Sequence, residues 1–295
     1  MRKLDMRATL LASIAILFLA ATSAFAAEIC GNGTDDDGDG LADEGCYPAL
    51  TTGVCESPLS CTDTGMVSPI LGSSRYQLPA DISPRVPYGP GIGLRRFYTS
   101  QYAPTAGSPV WKTPLGDRWQ HTYMTWLAKT GSGATAKLAL HTNRGQDVLA
   151  PWSSSPGDGW DYFAPQRGFH VKYFRQRQAS PNEYQLRTLT GETMVYNSAG
   201  QLTEIWETPD AGSSKVLVAY DGSGQVSTVT DASGKRRLLF NYVSNKLTTV
   251  NFQTFSGSAW TTQHTTSYGF TGTLLTTVTI GGQLAQTNSY TSNYL

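Results

Sequence analysis

A tyrosine that returns about every two dozen residues constrains this chain more than any other feature. The segment Tyr196-Asn197-Ser198-Ala199-Gly200-Gln201-Leu202 recurs as Tyr220-Asp221-Gly222-Ser223-Gly224-Gln225-Val226; looser copies start at Tyr242 and Tyr268, and a fifth opens at Tyr290. Spacings of 24, 22, 26 and 22 residues fall in the range of repeat architectures, in which each unit buries its apolar face on its neighbours. Ahead of the tyrosine runs an alternating stretch, such as Val216, Val218, Tyr220 or Leu238, Phe240, Tyr242, with the period of a strand. A Gly/Asn/Asp/Ser turn and a Thr-rich run follow, so each unit reads as a hairpin. In the second arm the apolar pairs (Leu202 and Ile205, Val226 and Val229, Leu247 and Val250, Leu275 and Val278) lie three apart, a spacing that alone suggests helix. The intervening Thr and Ser, the flanking glycines and the shortness of each run predict a strand instead, with a bulge that turns one apolar residue inward.

This pattern resembles the YD repeats of Rhs, toxin-complex and teneurin-type proteins. The resemblance implies an all-β fold in which hairpins coil into a partial β shell or solenoid, here over residues 191–295. Upstream, Arg96, Tyr98 and Ser100, and then Leu115, Gly116, Trp119, His121 and Tyr123, are similar to the segment that opens such proteins, with Arg118 where that segment usually has glycine. Residues 94–190 are therefore expected to form an Rhs-type N-terminal β region, with one strand alternating from Trp119 to Leu127. The resemblance as a whole covers residues 85–295. In the family, long arrays make hollow casings for toxin delivery or surfaces for cell contact. The chain reaches Leu295 one turn into a fresh repeat, after the charge-free stretch Leu274–Ile280. The expectation is thus the opening part or remnant of a larger casing, whose partners are a C-terminal continuation, another cell-surface protein or a glycan.

The N-terminus bears on location. Arg2, Lys3 and Arg7 precede an uncharged, mostly apolar run from Leu10 to Ala21 and then Ala24-Phe25-Ala26, the pattern of a secretory signal peptide (1–26) cut after Ala26. The run is short of the ~20 residues that a spanning helix needs, so no transmembrane segment is expected in the mature chain, which would be secreted or held at the cell surface. The four cysteines, Cys30, Cys46, Cys55 and Cys61, cluster within residues 27–65, and an oxidising compartment favours disulfides among them. Sequential pairing is the simplest of three connectivities. A zinc site is the rival, but no C-x₂-C pair and no nearby histidine support it.

This small disulfide-linked module is acidic: residues 28–65 hold nine Asp and Glu and no Lys or Arg. Asp35, Asp37 and Asp39 followed by Gly40 match the first half of a calcium loop, Leu41 would add a backbone carbonyl, and Asp43 stands at the ninth position. Cys46 occupies the twelfth position, where an EF-hand has glutamate, so closure would run through Glu44 and a Cys30–Cys46 bridge. The segment resembles the cysteine-flanked aspartate motif of secreted bacterial proteins, itself similar to thrombospondin type 3 repeats. A solvated acidic linker is the alternative, but the i, i+2, i+4 spacing favours metal, and an all-oxygen flexible loop favours Ca²⁺ over Mg²⁺. Residues 66–93, with Pro69, Pro79, Pro84, Pro87 and Pro90, read as an extended linker, and Gly91-Ile92-Gly93 lacks the rest of a phosphate fingerprint.

Nothing in the body assembles into catalysis. There is no G-x-S-x-G, H-E-x-x-H or P-loop, and His121, His141, His170 and His264 share no motif spacing, so a structural or binding protein is expected rather than an enzyme, with a secreted hydrolase the least favoured reading. His121 reads as a core residue before a catalytic one. The stretch from Phe169 to Arg177, with Lys172, Arg175 and Arg177, is either a polyanion track or the wet side of a two-faced strand; nucleic acid is not an expected partner. Trp111, Trp126, Trp152, Trp160 and Tyr162 leave open a carbohydrate-binding adhesin.

Overall fold

The structure, a computed structural model, describes residues 66–68, 73–84, 90–100, 113–142, 147–165, 171–207 and 214–290. The expected signal peptide, the cysteines Cys30, Cys46, Cys55 and Cys61, and the expected calcium ligands Asp35, Asp37, Asp39, Leu41, Asp43 and Glu44 lie outside the described residues. Trp111 and His170 lie outside them too. The chain divides into Met1–Cys46 and Tyr47–Leu295, and the described residues all belong to the second unit.

The described residues are nearly all β, with a single 3₁₀ turn at Gly133–Thr135 and no α-helix among them. Four strands make one antiparallel sheet in chain order: β1 (Met66–Ser68), β2 (Ser73–Ile82), β3 (Leu94–Thr99) and β4 (Trp119–His121). The stretch expected as a linker thus contains two strands. Its Ile82 is buried, an anchor that the prolines around it conceal in the sequence.

The other fifteen strands form a single antiparallel sheet in which every strand pairs with its chain neighbours, from β5 (Trp126–Thr130) to β19 (Gln283–Thr287). This sheet crosses residues 190–191 without a break, because β10 (Tyr184–Thr188) pairs with β11 (Thr193–Tyr196). Beyond it the repeat hairpins are β11 with β12 (Leu202–Trp206), β13 (Lys215–Tyr220) with β14 (Val226–Thr230), β15 (Arg236–Val243) with β16 (Lys246–Phe255), and β17 (Trp260–Thr271) with β18 (Leu274–Ile280). A strictly sequential meander needs only short connections, the cheapest loops to close.

Each hairpin carries the expected bulge. Val195 pairs with Glu204, but Tyr196 pairs with Leu202, so Thr203 is the extra residue; Ser227, Thr248 and Thr276 are skipped likewise. A one-residue insertion resets the two-residue alternation, so apolar residues three apart both turn to the core, and Val226 with Val229, Leu247 with Val250, and Leu275 with Val278 are all buried. The extra residue also satisfies the broken ladder: the Thr203, Thr248 and Thr276 hydroxyls donate to the carbonyls of Val195, Asn241 and Gly269 at 3.1–3.2 Å.

The small sheet lies inside the large one. All three residues of β4 are buried, which an ordinary two-faced strand does not allow. His121 and Tyr123 meet the ring of Phe240 in β15 at 5.4 and 6.3 Å, and a single hydrophobic cluster runs from Ile82 to Val278. The strand expected from Trp119 to Leu127 is split between the sheets by a turn at Thr122–Thr125, closed by Met124 N–H donating to His121 C=O at 2.9 Å. With Trp119, His121, Tyr123, Met124 and Trp126 all buried, the sequence has no polar interval to mark that turn.

Candidate functional site

The repeat hairpins explain their own consensus. In the first two copies the residue after the tyrosine, Asn197 or Asp221, folds its side chain over the turn: Asn197 Oδ1 accepts from the N–H groups of Ala199 and Gln201 at 3.0 and 2.9 Å, and Asp221 Oδ1 from Ser223 and Gln225 at 2.8 and 2.9 Å. This is the Asx-type cap of a tight turn. Gly200 and Gly224 supply the left-handed residue, φ 82° and 78°. The third copy has Val243 in place of the acid and shortens to a two-residue turn, Ser244-Asn245, with φ 50° and 64°, the pattern of a type I′ hairpin.

The tyrosines link one copy to the preceding one. Tyr220 Oη donates to Leu202 C=O at 2.7 Å, Tyr242 Oη to Val226 C=O at 2.8 Å, and Tyr290 Oη to Leu275 C=O. The fourth copy departs: register pairs Phe270 with Leu275 as Tyr242 pairs with Leu247, so this copy is anchored on Phe270 and not on Tyr268. Phe270 has no hydroxyl to offer, and the Lys246 ammonium lies over its ring at 5.0 Å. Burial pushes the hydroxyls of Tyr220 and Tyr242 well above their ordinary range, so they remain donors at any physiological pH.

A second ladder joins the turns. Gln201 Nε2 donates to Gly224 C=O at 3.3 Å, Gln225 Nε2 to Asn245 C=O at 3.0 Å, and Lys246 Nζ to Gly272 C=O. Residues 114–127 run along this row. Leu127 N–H donates to Gly200 C=O at 2.8 Å, Leu247 N–H to Pro114 C=O at 2.7 Å, and Asp117 N–H to Thr273 C=O at 2.9 Å. A Cβ on Gly116 would stand 2.2 Å from Thr273 O, so this position needs glycine. Arg118, at φ 68°, holds the left-handed conformation that the glycine of similar segments would hold freely.

Residues 196–237 match the family model of the RHS Repeat. The chain carries an RHS repeat. The matched residues cover the two copies with intact Asx caps, while the shortened third copy and the Phe270 copy lie beyond them. Among curated proteins, none matches the chain.

Where the inner sheet meets the last hairpins, the polar groups are buried and shared. The Arg96 guanidinium forks onto Asp81, Nε to Oδ2 at 2.6 Å and Nη2 to Oδ1 at 2.8 Å, while Nη1 donates to Gln286 Oε1 at 2.8 Å. Tyr268 Oη donates to Asp81 Oδ2 at 3.0 Å, the role that takes it out of the tyrosine ladder. Trp119 Nε1 donates to Tyr290 Oη at 2.9 Å, and the Arg96 guanidinium lies 5.5 Å from the Trp119 ring. Sequence reading passed over Asp81, which sits among prolines. Its one signal was that an acid occupies an otherwise apolar stretch, Leu78 to Ile82.

His121 is part of this interior. Its Nδ1 accepts from Tyr123 N–H at 3.3 Å and its buried Nε2 has no partner among the described residues. Burial pushes its pKa from 6.5 down to about 3, so it is a neutral packing residue without access to water, unsuited to proton transfer. His141 stacks on Trp126 at 3.8 Å, with its Nε2 2.7 Å from Gln120 Nε2. Among the described residues no three of His, Cys, Asp and Glu converge as metal ligands.

On β9 (Val171–Arg177) Phe174 is buried and Lys172 exposed, a two-faced strand. Arg175 stacks on Trp160 and Tyr173 at 4.0 and 4.2 Å and donates to Gln185 Oε1. Arg177 lies 4.8 Å from Trp160 and pairs with Glu183 at 2.7 Å. Guanidinium groups therefore occupy the Trp160 ring that a sugar would need, Trp152 packs on the core, and Tyr162 Oη donates to Asp158.

Proposed function

We propose that the chain is a secreted or cell-surface structural and binding protein of the Rhs type, contributing to a β casing of the toxin-delivery or cell-contact kind, with a calcium-binding head. The observation that carries this reading is the sequential sheet wrapped on its own N-terminal segment. Its hydrogen bonds hold one hairpin to the next, and the buried Arg96, Asp81, Tyr268 and Gln286 join the inner sheet to the last hairpins. Export through the signal peptide would place Cys30, Cys46, Cys55 and Cys61 in an oxidising compartment, where two bridges would order the acidic module around Ca²⁺ held by Asp35, Asp37, Asp39, Leu41, Asp43 and Glu44.

Full-length protein expressed in an export-competent bacterium tests this reading. Mass spectrometry should find Ala27 or Glu28 as the first residue and no free thiol. Calorimetric titration of the secreted chain should show saturable Ca²⁺ binding, in the roughly micromolar to millimolar range of sensor and extracellular sites, that Asp37→Ala removes. Retention of Met1, free thiols, or no heat at millimolar Ca²⁺ would refute it.

A further inference from the structure

Between the inner segment and the wall formed by β10, β11 and β12 lies a cavity of about 620 Å³, within the roughly 300–1,000 Å³ of small-molecule sites. Leu140, Leu186, Leu202 and Ile205 are what the wall of a shell interior requires, and several threonines add hydroxyls. Two lining residues are charged. Glu192 shares the inward face with Met194 and Tyr196 and lines the cavity with them, where the two-residue period of a core-facing strand calls for an apolar side chain. Arg95 lines it from the inner sheet, on the face opposite Arg96.

Neither charge is used by the fold. Arg96 is matched by Asp81, Gln286 and two aromatic rings, whereas the Arg95 guanidinium and the Glu192 carboxylate have no hydrogen-bond or ion-pair partner among the described residues. Nor do they pair with each other, and burial raises the Glu192 carboxyl. A half-buried carboxylate without a paired cation is destabilising, a cost that a ligand's cation would remove. Hydroxyl groups of Thr122 and Tyr196 also border the space, and exposed Ser83 stands at its rim.

We propose that this cavity binds a small zwitterion with an apolar body, of the class of short apolar peptides with free termini, its ammonium on Glu192, its carboxylate on Arg95 and its hydrocarbon against Leu186, Met194 and Ile205. Two unpaired charges of opposite sign in a lining that also holds Leu186, Met194 and Ile205 suit a ligand with two charged ends and an apolar body. The inference is independent of the calcium head and of any continuation of the casing.

The probe is the tripeptide Ala-Leu-Ala, titrated calorimetrically into the full mature chain near pH 7. The expected result is saturable binding below about 1 mM, weakened about tenfold or more by N-acetylation, by C-amidation, or by Glu192→Gln. Met194→Trp, which fills the cavity, should abolish binding while leaving the melting temperature of the ligand-free protein within a few degrees. The blocked peptides act on the unaltered protein, so the test survives a variant that fails to fold. No saturation by about 10 mM, or binding indifferent to either blocked terminus, overturns the proposal.

Discussion

Asp81 offers the sharpest test of this packing, because one buried carboxylate satisfies two partners, Arg96 in the inner sheet and Tyr268 in the last repeat hairpin. In Asp81→Ala the Arg96 guanidinium, 3% exposed, keeps its charge with Gln286 as its remaining side-chain hydrogen-bond partner beside the Trp119 and Tyr268 rings, and Tyr268 Oη loses its acceptor. Removing one member of a buried ion pair typically costs about 3–5 kcal/mol, since the remaining charge is left uncompensated. An orphaned buried hydroxyl adds about 1 kcal/mol or more, not fully additively. Taking about 4 kcal/mol, and about 2–4 °C per kcal/mol for a domain of this size, the melting temperature should fall by about 8–16 °C. Differential scanning calorimetry of the full chain reads this directly. The double variant Asp81→Leu with Arg96→Met should recover most of the loss, because apolar residues of similar volume replace buried pairs at little cost. A fall under about 3 °C in Asp81→Ala, or a double variant worse than the single, would refute the claim that charge compensation, and not shape, holds this junction.

Other variants test the repeat geometry. Gly200→Ala places a Cβ 1.9 Å from Leu127 O at φ 82° and should cost at least about 2 kcal/mol in chemical denaturation, against about 1 kcal/mol for Gly157→Ala, which has a similar φ and open space; equal losses would mean the turn does not abut β5. Tyr242→Phe should cost about 1–2 kcal/mol by stranding the Val226 carbonyl, measured against Tyr162→Phe, whose partner is exposed. His121 titrates at 6.5 unfolded and about 3 folded. The native state therefore excludes its proton, and stability is complete above pH 6.5 and lost as pH falls toward 3. At pH 5 the loss is about 2 kcal/mol, which His121→Gln should remove from the pH dependence of the melting temperature. His264, also lowered by burial, works in the same sense, and Glu192, raised by burial, in the opposite one.

Much of the sheet was legible because hairpins are local. Tyr196 to Ile205 contains its own turn signal, alternation and bulge, and the apolar residues three apart needed no tertiary information once Thr and Gly had argued against helix. What escaped were features set by partners far along the chain. Asp81 reads as a linker residue because Arg96 and Tyr268 are needed to give it a role. The alternation from Trp119 to Leu127 looked like one strand because both faces are buried, so the turn at Thr122–Thr125 left no polar trace. The fourth copy was placed on Tyr268 by its letter, whereas register puts Phe270 there and sends Tyr268 to Asp81. Glu192 was invisible as a cavity residue, since an acid just after a turn is ordinarily solvated.

Those long-range contacts also determine what kind of repeat protein this is. A plain array couples each unit only to its neighbours, so its stability is a sum of local terms and its ends fray independently. The tyrosine and turn ladders here have that nearest-neighbour form. The inner segment does not: it reaches Gly200 from Leu127, Leu247 from Pro114, Thr273 from Asp117, Gln286 from Arg96 and Tyr290 from Trp119. A segment bound to three of the four repeat hairpins, to β19 and to Tyr290 makes the loss of any of these contacts felt by the others, and it closes loops of more than 150 residues whose entropy must be offset by the buried contacts it makes. The same segment fixes the curvature of the sheet, because the row of turns can meet residues 114–127 only at one spacing, which Gly116 and Gly200 permit by lacking a Cβ.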